Sequence, residues 1–127
     1  MGTLAGRALD FVYHAGLRTS DGKVQISRTA DGTSWTTVAA FTPVAGSYNN
    51  APVIRQCPDT GALFLHMYVT STNIGEIRMS LDQGATWTEP VRWGGTMSAG
   101  QLGAAGGRLF LTDVSGAVYV SDGIGWE

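Results

Sequence analysis

The eight residues 80–87, SLDQGATW, constrain the fold more than any other stretch of this chain. They follow an alternating run of apolar and polar residues, which is typical of a half-buried β-strand. The Asp82 carboxylate can accept hydrogen bonds from backbone N–H groups inside a turn, and Gly84 can adopt the positive φ that such a turn needs. The Thr86 hydroxyl can close on the same turn, and the Trp87 ring can fold back over it and bury about 150–250 Å². The segment therefore predicts a β-turn that is held by its own side chains.

Two looser versions of this segment occur elsewhere, as TADGTSW at residues 29–35 and VSDGIGW at residues 120–126. We call residues 29–35 segment one, residues 80–87 segment two and residues 120–126 segment three. Segments one and three have one residue fewer between the aspartate and the tryptophan, and segment three has Gly125 where the others have a hydroxyl residue. The side chains predicted to build the three turns are Thr29, Asp31, Gly32, Ser34, Trp35, Ser80, Asp82, Gly84, Thr86, Trp87, Asp122, Gly123 and Trp126.

The rest of the chain consists of short alternating runs that are separated by turn residues, which indicates an all-β protein. Eighteen glycines, about twice the usual share, favour turns over long helices. Asp21-Gly22 and the sequence PDTG at residues 58–61 are typical of tight reversals. We predict about ten or eleven strands, ten of which lie at residues 9–15, 24–29, 36–41, 51–57, 62–70, 76–80, 89–93, 101–105, 108–112 and 117–121.

The three tryptophans of the segments are 52 and 39 residues apart. A period of about 40–50 residues with four short strands is typical of β-propeller blades. We therefore predict a single all-β domain of about three four-stranded antiparallel blades, at residues 1–45, 46–93 and 94–127. The strand pattern gives three, four and three strands, with GTLAGR at residues 2–7 as a further candidate. The alternative fold is a jelly-roll-like sandwich, which would not place three such turns at equivalent positions.

Segment two matches the Asp-box pattern S-x-D-x-G-x-T-W at every defined position. The chain resembles the sialidase-like β-propellers and related glycan-handling proteins, in which Asp-boxes, also called BNR repeats, recur. The resemblance covers about three-quarters of the chain and is strongest in the middle unit. It implies that each Asp-box lies between the third and fourth strands of a blade, on the face away from the active site. The resemblance thus implies a fold and not catalysis.

The catalytic residues of that family are not identifiable in this sequence. Sialidases resemble one another in an arginine triad that binds a carboxylate, a Tyr/Glu nucleophilic pair and an aspartate that acts as acid and base. The first arginine usually belongs to an Arg-Ile-Pro motif, whereas Arg55 stands in VIRQCP. His14 and His66 lie in alternating strands without a nearby ligand pair, and Cys57 precedes a proline at a strand end. We therefore predict no enzyme, no metal site and no cofactor, and interpret these three side chains as packed or surface residues.

Composition excludes several classes of partner. The net charge is −2 and the arginines are spread singly, so no basic stripe indicates nucleic acid. No apolar run approaches the ~18 residues of a membrane helix, and the first residues lack the pattern of a signal peptide. Cys57 is the single cysteine, so no internal disulfide is expected.

Charged residues make up 14%, against the ~25% usual for soluble domains. This low share predicts that part of the surface is covered by other copies or by a partner.

Two functions from different classes fit these observations. The first is a non-enzymatic structural module that works as a homo-oligomer or larger assembly. Three blades leave two strand edges open, and two copies could close a six-bladed ring by exchanging terminal strands. We expect such a subunit on a virus or phage particle, as a decoration, tail or fibre-associated protein.

The second function is a glycan-binding, lectin-like module or a partial sialidase-like glycosidase. Its ligand would bind on the face opposite the Asp-boxes, where three loops carry amides and aromatic rings suited to sugar stacking and hydroxyl recognition. The candidate ligand-binding residues in these loops are Tyr48, Asn49, Asn50, Asn73, Trp93 and Gln101.

Overall fold

The computed structural model describes residues 10–18, 20–42, 52–69, 74–94, 101–112 and 116–125. Within these residues the protein is all-β, with ten strands in three antiparallel sheets and no helix. Sheet one has the order β1-β2-β3, sheet two β4-β5-β6-β7 and sheet three β10-β9-β8. The strands are β1 Val12–Arg18, β2 Lys23–Thr29, β3 Thr36–Phe41, β4 Val53–Gln56, β5 Leu63–Val69, β6 Ile74–Ser80, β7 Val91–Gly94, β8 Gln101–Ala105, β9 Arg108–Thr112 and β10 Val118–Ser121.

The sequence pattern predicts most of these strands closely. The all-β class is confirmed, and the bounds of β3, β8 and β9 are those predicted. Sheets one, two and three have three, four and three described strands, which are the numbers that the strand pattern predicts. Four strands per unit were expected, and only sheet two has four among the described residues. The division into blades at residues 1–45, 46–93 and 94–127 stays a prediction. No helix in the described ranges is long and apolar enough to cross a membrane.

The first strand differs from its prediction, because it lies at Val12–Arg18 and not at residues 9–15. The reason is the hairpin to β2, whose pairing continues to the last possible residues, Arg18 opposite Lys23. The Arg18 guanidinium also pairs with Asp21, with 2.9 Å between Nε and Oδ1. Gly22, at φ 71°, donates its N–H to the Arg18 carbonyl and closes the turn. Turn chemistry therefore extends the strand beyond its alternating run.

Sheet two lies between the other two sheets and is covered on both faces. On one face, Leu65 and Met67 form a buried cluster with Val24 and Ile26 of sheet one. On the other face, a second buried cluster joins sheet two to sheet three, and its members are Cys57, Ala62, Phe64, Ile77, Met79, Leu109 and Leu111. Residues on both sides of β5 are thus buried, which explains why its sequence is a nearly continuous apolar run. The core consists of these two layers.

The outer sheets bury one face each, and their exposed faces differ in chemistry. We define the outer face of sheet three as Gly103, Ala105, Arg108, Phe110, Thr112, Val118 and Val120, which alternate with inward residues and pair across the strands. We define the outer face of sheet one as Val12, His14, Gly16, Arg18, Lys23, Gln25, Ser27, Thr37 and Ala40, with Trp35 at its edge. The first face is mostly apolar, whereas the second is mostly polar.

Candidate functional site

Segment two is a turn closed by five of its own residues. The Ser80 hydroxyl accepts the Gly84 N–H at 2.9 Å and donates to Asp82 Oδ1 at 2.9 Å. The other contacts of the Asp82 carboxylate come from Thr86, whose N–H donates to Oδ1 at 2.8 Å and whose hydroxyl donates to Oδ2. Trp87 Nε1 donates to the Gly84 carbonyl at 2.8 Å, so the indole folds back over the loop. Gly84 has φ 89°, which residues with a side chain rarely adopt.

Segment one repeats part of this hydrogen bonding in a shorter loop. The Thr29 hydroxyl accepts the Gly32 N–H at 3.0 Å, and Asp31 Oδ1 accepts the N–H groups of Thr33 and Ser34 at 2.8 Å each. Trp35 does not follow the pattern of Trp87, because 49% of its surface is exposed. Segment one therefore keeps the carboxylate turn without covering its tryptophan.

Segment three forms a third turn with a shifted hydroxyl. Asp122 Oδ1 accepts the N–H groups of Ile124 at 2.9 Å and Gly125 at 3.0 Å. Ser121, the residue directly before the aspartate, accepts the Gly123 N–H at 3.0 Å and donates to the Gly125 carbonyl at 2.9 Å. Ser121 is not among the side chains predicted to build this turn. Trp126 lies outside the described residues.

The three turns lie next to one another along one edge of the molecule. Arg28 Nη1, which belongs to the strand before segment one, donates to the Gln83 carbonyl in segment two at 2.7 Å. Thr88, directly after segment two, donates its hydroxyl to the Gly123 carbonyl in segment three at 3.5 Å. The sheets therefore meet at this edge through their Asp-containing turns.

Each aspartate at this edge is held in its ionised form. Hydrogen bonds from the hydroxyl and the N–H of Thr86 lower the pKa of Asp82 from 3.8 to about 2. The N–H groups of Ser34 and Thr33 lower the pKa of Asp31, and those of Ile124 and Gly125 lower the pKa of Asp122. A carboxylate that is ionised and engaged in its turn is poorly suited to donate a proton as a general acid. The geometry gives these side chains a structural role.

The lowered pKa of Asp82 predicts an acid-sensitive stability. The folded state binds protons less readily than the unfolded chain, whose carboxyl titrates near 3.8. The stabilisation from this group is therefore present above about pH 4 and is lost as the pH falls toward 2. We expect Asp82→Asn to be less stable than the wild type at neutral pH and to lose less stability in this window. The measurement is urea unfolding at several pH values.

Thr86→Val keeps the carboxylate but removes one donor, so the pH dependence of its stability should lie between those of the wild type and Asp82→Asn. Equal pH dependence in all three proteins would contradict this role.

The histidines and the cysteine do not form a catalytic cluster. His66 is buried, and this burial lowers its pKa to about 4, so its imidazole is neutral at neutral pH. Cys57 is fully buried, with its sulfur 3.9 Å from the Arg108 carbonyl. His14 lies on the surface, edge-on to the Trp35 ring. In the part of the chain that the structure describes, no three His, Cys, Asp or Glu residues are grouped to hold a metal ion.

The structure describes only part of the predicted glycan-binding loops. Tyr48, Asn49, Asn50 and Asn73 lie outside the described residues, so their role stays a prediction. Trp93 and Gln101 were predicted at the ends of the strands 89–93 and 101–105, where the loop between them begins and ends, and the backbone of each belongs to a strand, β7 and β8. The pairing of Trp93 with Gly75 and of Gln101 with Thr112 extends both strands to these positions.

A groove on the outer face of sheet one was not predicted from the sequence. A depression of about 310 Å³ is lined by His14, Ser27 and Trp35. A second depression of about 210 Å³ adjoins it at His14 and includes Gly16, Arg18 and Gln25. Alternation in β1 and β2 could have placed His14, Gln25 and Ser27 on one face, but the exposure of Trp35 depends on tertiary packing. Comparisons with protein families, with characterised proteins and with solved structures find no match to this chain.

Proposed function

We propose that this protein is a non-enzymatic structural or interaction module built of Asp-box blades, and that copies of it assemble through the outer face of sheet three. The observation that carries the proposal is the apolar surface of that face. Phe110 and Val118 are 40% and 64% exposed there. Phe110 stands between Gly103 and Val120 in one cross-strand row, and Arg108 is the one charged residue that we assign to this face.

The middle sheet provides the comparison within the same molecule. Sheet two buries apolar side chains on both faces because a sheet packs against each of them. Among the described residues, sheet three has such a partner on its inner face only, where Leu109 and Leu111 are fully buried. An exposed apolar sheet face of this kind marks a surface for association. A further sheet packed over Phe110 would complete the layering.

A second copy of the chain is the proposed occupant of this face. An apolar surface is best complemented by another apolar surface. The outer face of sheet one exposes Val12 and Trp35, but it also carries Arg18, Lys23 and several amide and hydroxyl groups. Contact between two equivalent sheet-three faces also gives a two-fold dimer, the commonest symmetry of soluble oligomers. The head-to-tail ring expected from strand counting pairs sheet three with sheet one of the next copy; it stays a prediction and is the alternative outcome of the test below.

The blade interpretation rests on layering and on the turns. Three antiparallel sheets stack in chain order, and an Asp-containing turn follows one strand of each at the same edge. The carboxylates of Asp31, Asp82 and Asp122 accept hydrogen bonds from the N–H groups of their own turns. We propose that the assembled module acts as a surface component of a larger particle, such as a virus or phage particle.

Phe110→Asp is expected to weaken the assembly without unfolding the subunit. The substitution places a charge at the centre of the apolar row, where pairing would bury it. We expect the mass in sedimentation experiments to fall to that of a single chain, 13.4 kDa, at concentrations where the wild type is larger. Circular dichroism checks that the variant is folded.

Val12→Asp is the matched control, because Val12 is 64% exposed on the outer face of sheet one. In the two-fold arrangement this variant assembles like the wild type. In the head-to-tail arrangement both variants dissociate. A Phe110→Asp protein that is folded and assembles like the wild type would contradict the proposed interface.

A further inference from the structure

Trp35 occupies the last position of segment one, but its indole does not hydrogen-bond to the described residues of its own turn. The equivalent Trp87 donates Nε1 to a carbonyl of its own loop and packs against the core between sheets one and two. The Trp35 Nε1 makes no hydrogen bond to any residue that the structure describes, and 49% of the side chain is exposed. Half of an indole surface is thus available to a ligand at a position that the turn does not need.

The Trp35 ring is held in place by a second ring. His14 lies edge-on to it, with 6.4 Å between the ring centroids and an angle of 77° between the planes. The His14 ring in turn lies over Gly16, where a Cβ atom would come within 3.0 Å of His14 Cε1. Gly16 therefore gives the His14 ring the room that it occupies beside the tryptophan.

Polar side chains lie beside the two rings and form hydrogen bonds with one another. Gln25 Nε2 donates to the hydroxyl oxygens of Ser27 at 3.4 Å and Thr37 at 3.1 Å. Gln25 Oε1 accepts from Arg18 Nη1 at 3.1 Å. The Arg18 charge is compensated by its ion pair with Asp21. The groove thus combines one exposed aromatic surface with fixed hydroxyl and amide groups, and the cation at its far end is already paired.

We propose that this groove binds a pyranose ring of a neutral oligosaccharide. Such a ring has an apolar face of C–H groups that can stack on the indole of Trp35, and hydroxyl groups around its rim. The His14 ring nitrogens and the Ser27 hydroxyl are placed to exchange hydrogen bonds with those groups. The depressions of about 310 and 210 Å³ adjoin at His14, so a chain of more than one sugar can follow the face from Trp35 toward Gln25. The site lies on sheet one and is independent of the proposed assembly through sheet three.

The test is NMR titration of the isotope-labelled wild type with the methyl glycosides of glucose, galactose and mannose, and with cellohexaose. We expect at least one of these sugars to shift the Trp35 indole signal together with the amide signals of β1 and β2 around His14 and Ser27. Trp35→Ala should weaken binding about tenfold, as expected for a lost aromatic stacking contact. Trp35→Phe should retain part of the affinity, because it keeps an aromatic face.

Two further variants keep the test decisive. Gly16→Ala requires the His14 ring to shift by a few tenths of an ångström and should weaken binding while Trp35 stays intact, so it serves if Trp35→Ala does not fold. Leu81→Ala is the matched control, because Leu81 is 76% exposed at the turn edge, away from the groove. Phe110→Asp should bind sugar like the wild type. The proposal is overturned if none of the four sugars shifts these signals, or if binding is the same in folded Trp35→Ala as in the wild type.

Discussion

Trp87→Ala is expected to lower the free energy of unfolding by about 3 kcal/mol, at the lower end of the range for core tryptophan truncations. The substitution removes the Nε1 hydrogen bond to Gly84, which closes segment two. It also removes an edge-to-face contact with Phe41 of sheet one, with ring centroids 5.8 Å apart. Trp87 thus fixes a turn and joins two sheets, so both the local and the intersheet contacts are lost together.

Trp35→Ala is the matched control for this prediction, since Trp35 has the same position in segment one. Its side chain is half exposed, so the loss of stability should be clearly smaller, about 1 kcal/mol. Chemical denaturation of the two variants gives both values directly. Equal losses in the two proteins would contradict the different packing of the two tryptophans.

Gly123→Ala is expected to cost about 3 kcal/mol for two separate reasons. Gly123 has φ 89°, and a Cβ atom adds steric strain in this left-handed region. The same Cβ would lie 2.5 Å from Met79 Sδ and 2.7 Å from Met79 Cβ. Met79 belongs to the buried cluster between sheets two and three, so it cannot move aside without disturbing the core. The close approach of segment three to β6 therefore requires glycine.

Gly116→Ala separates the two contributions. Gly116 has φ 91°, nearly the same as Gly123, but nothing lies within 4 Å of the Cβ position. This variant should lose only the backbone contribution, about 1 kcal/mol. The difference between the two variants, measured by thermal or urea unfolding, is the cost of the contact with Met79. A Gly123→Ala protein no less stable than Gly116→Ala would show that the two sheets do not approach so closely.

Local features of the fold were predictable from the sequence, because they depend on neighbouring residues. Alternation predicted β3, β8 and β9 with their bounds, and residues 80–87 contain all the groups that close their own turn. The first strand was shifted because its hairpin pairing extends beyond the alternating run. In segment three the turn hydroxyl belongs to Ser121, directly before Asp122, whereas in segment two it belongs to Ser80, two residues before Asp82.

Contacts between sheets were not predictable in this way. Nothing in segments one and two explains why Trp35 is exposed and Trp87 is packed, because the difference comes from what covers each ring. Trp87 meets Phe41 from a different sheet, whereas Trp35 stands at an outer face beside His14. The candidate groove arises from the same cause, since an outer sheet face is defined only once the three sheets are stacked.

The mass of the wild-type protein in solution tests the proposed assembly most directly. Sedimentation at a series of micromolar concentrations reports whether the apolar outer face of sheet three is covered by another copy. We predict a particle of at least twice 13.4 kDa, which dissociates on dilution and in Phe110→Asp. A single folded species of 13.4 kDa at every concentration would contradict the account.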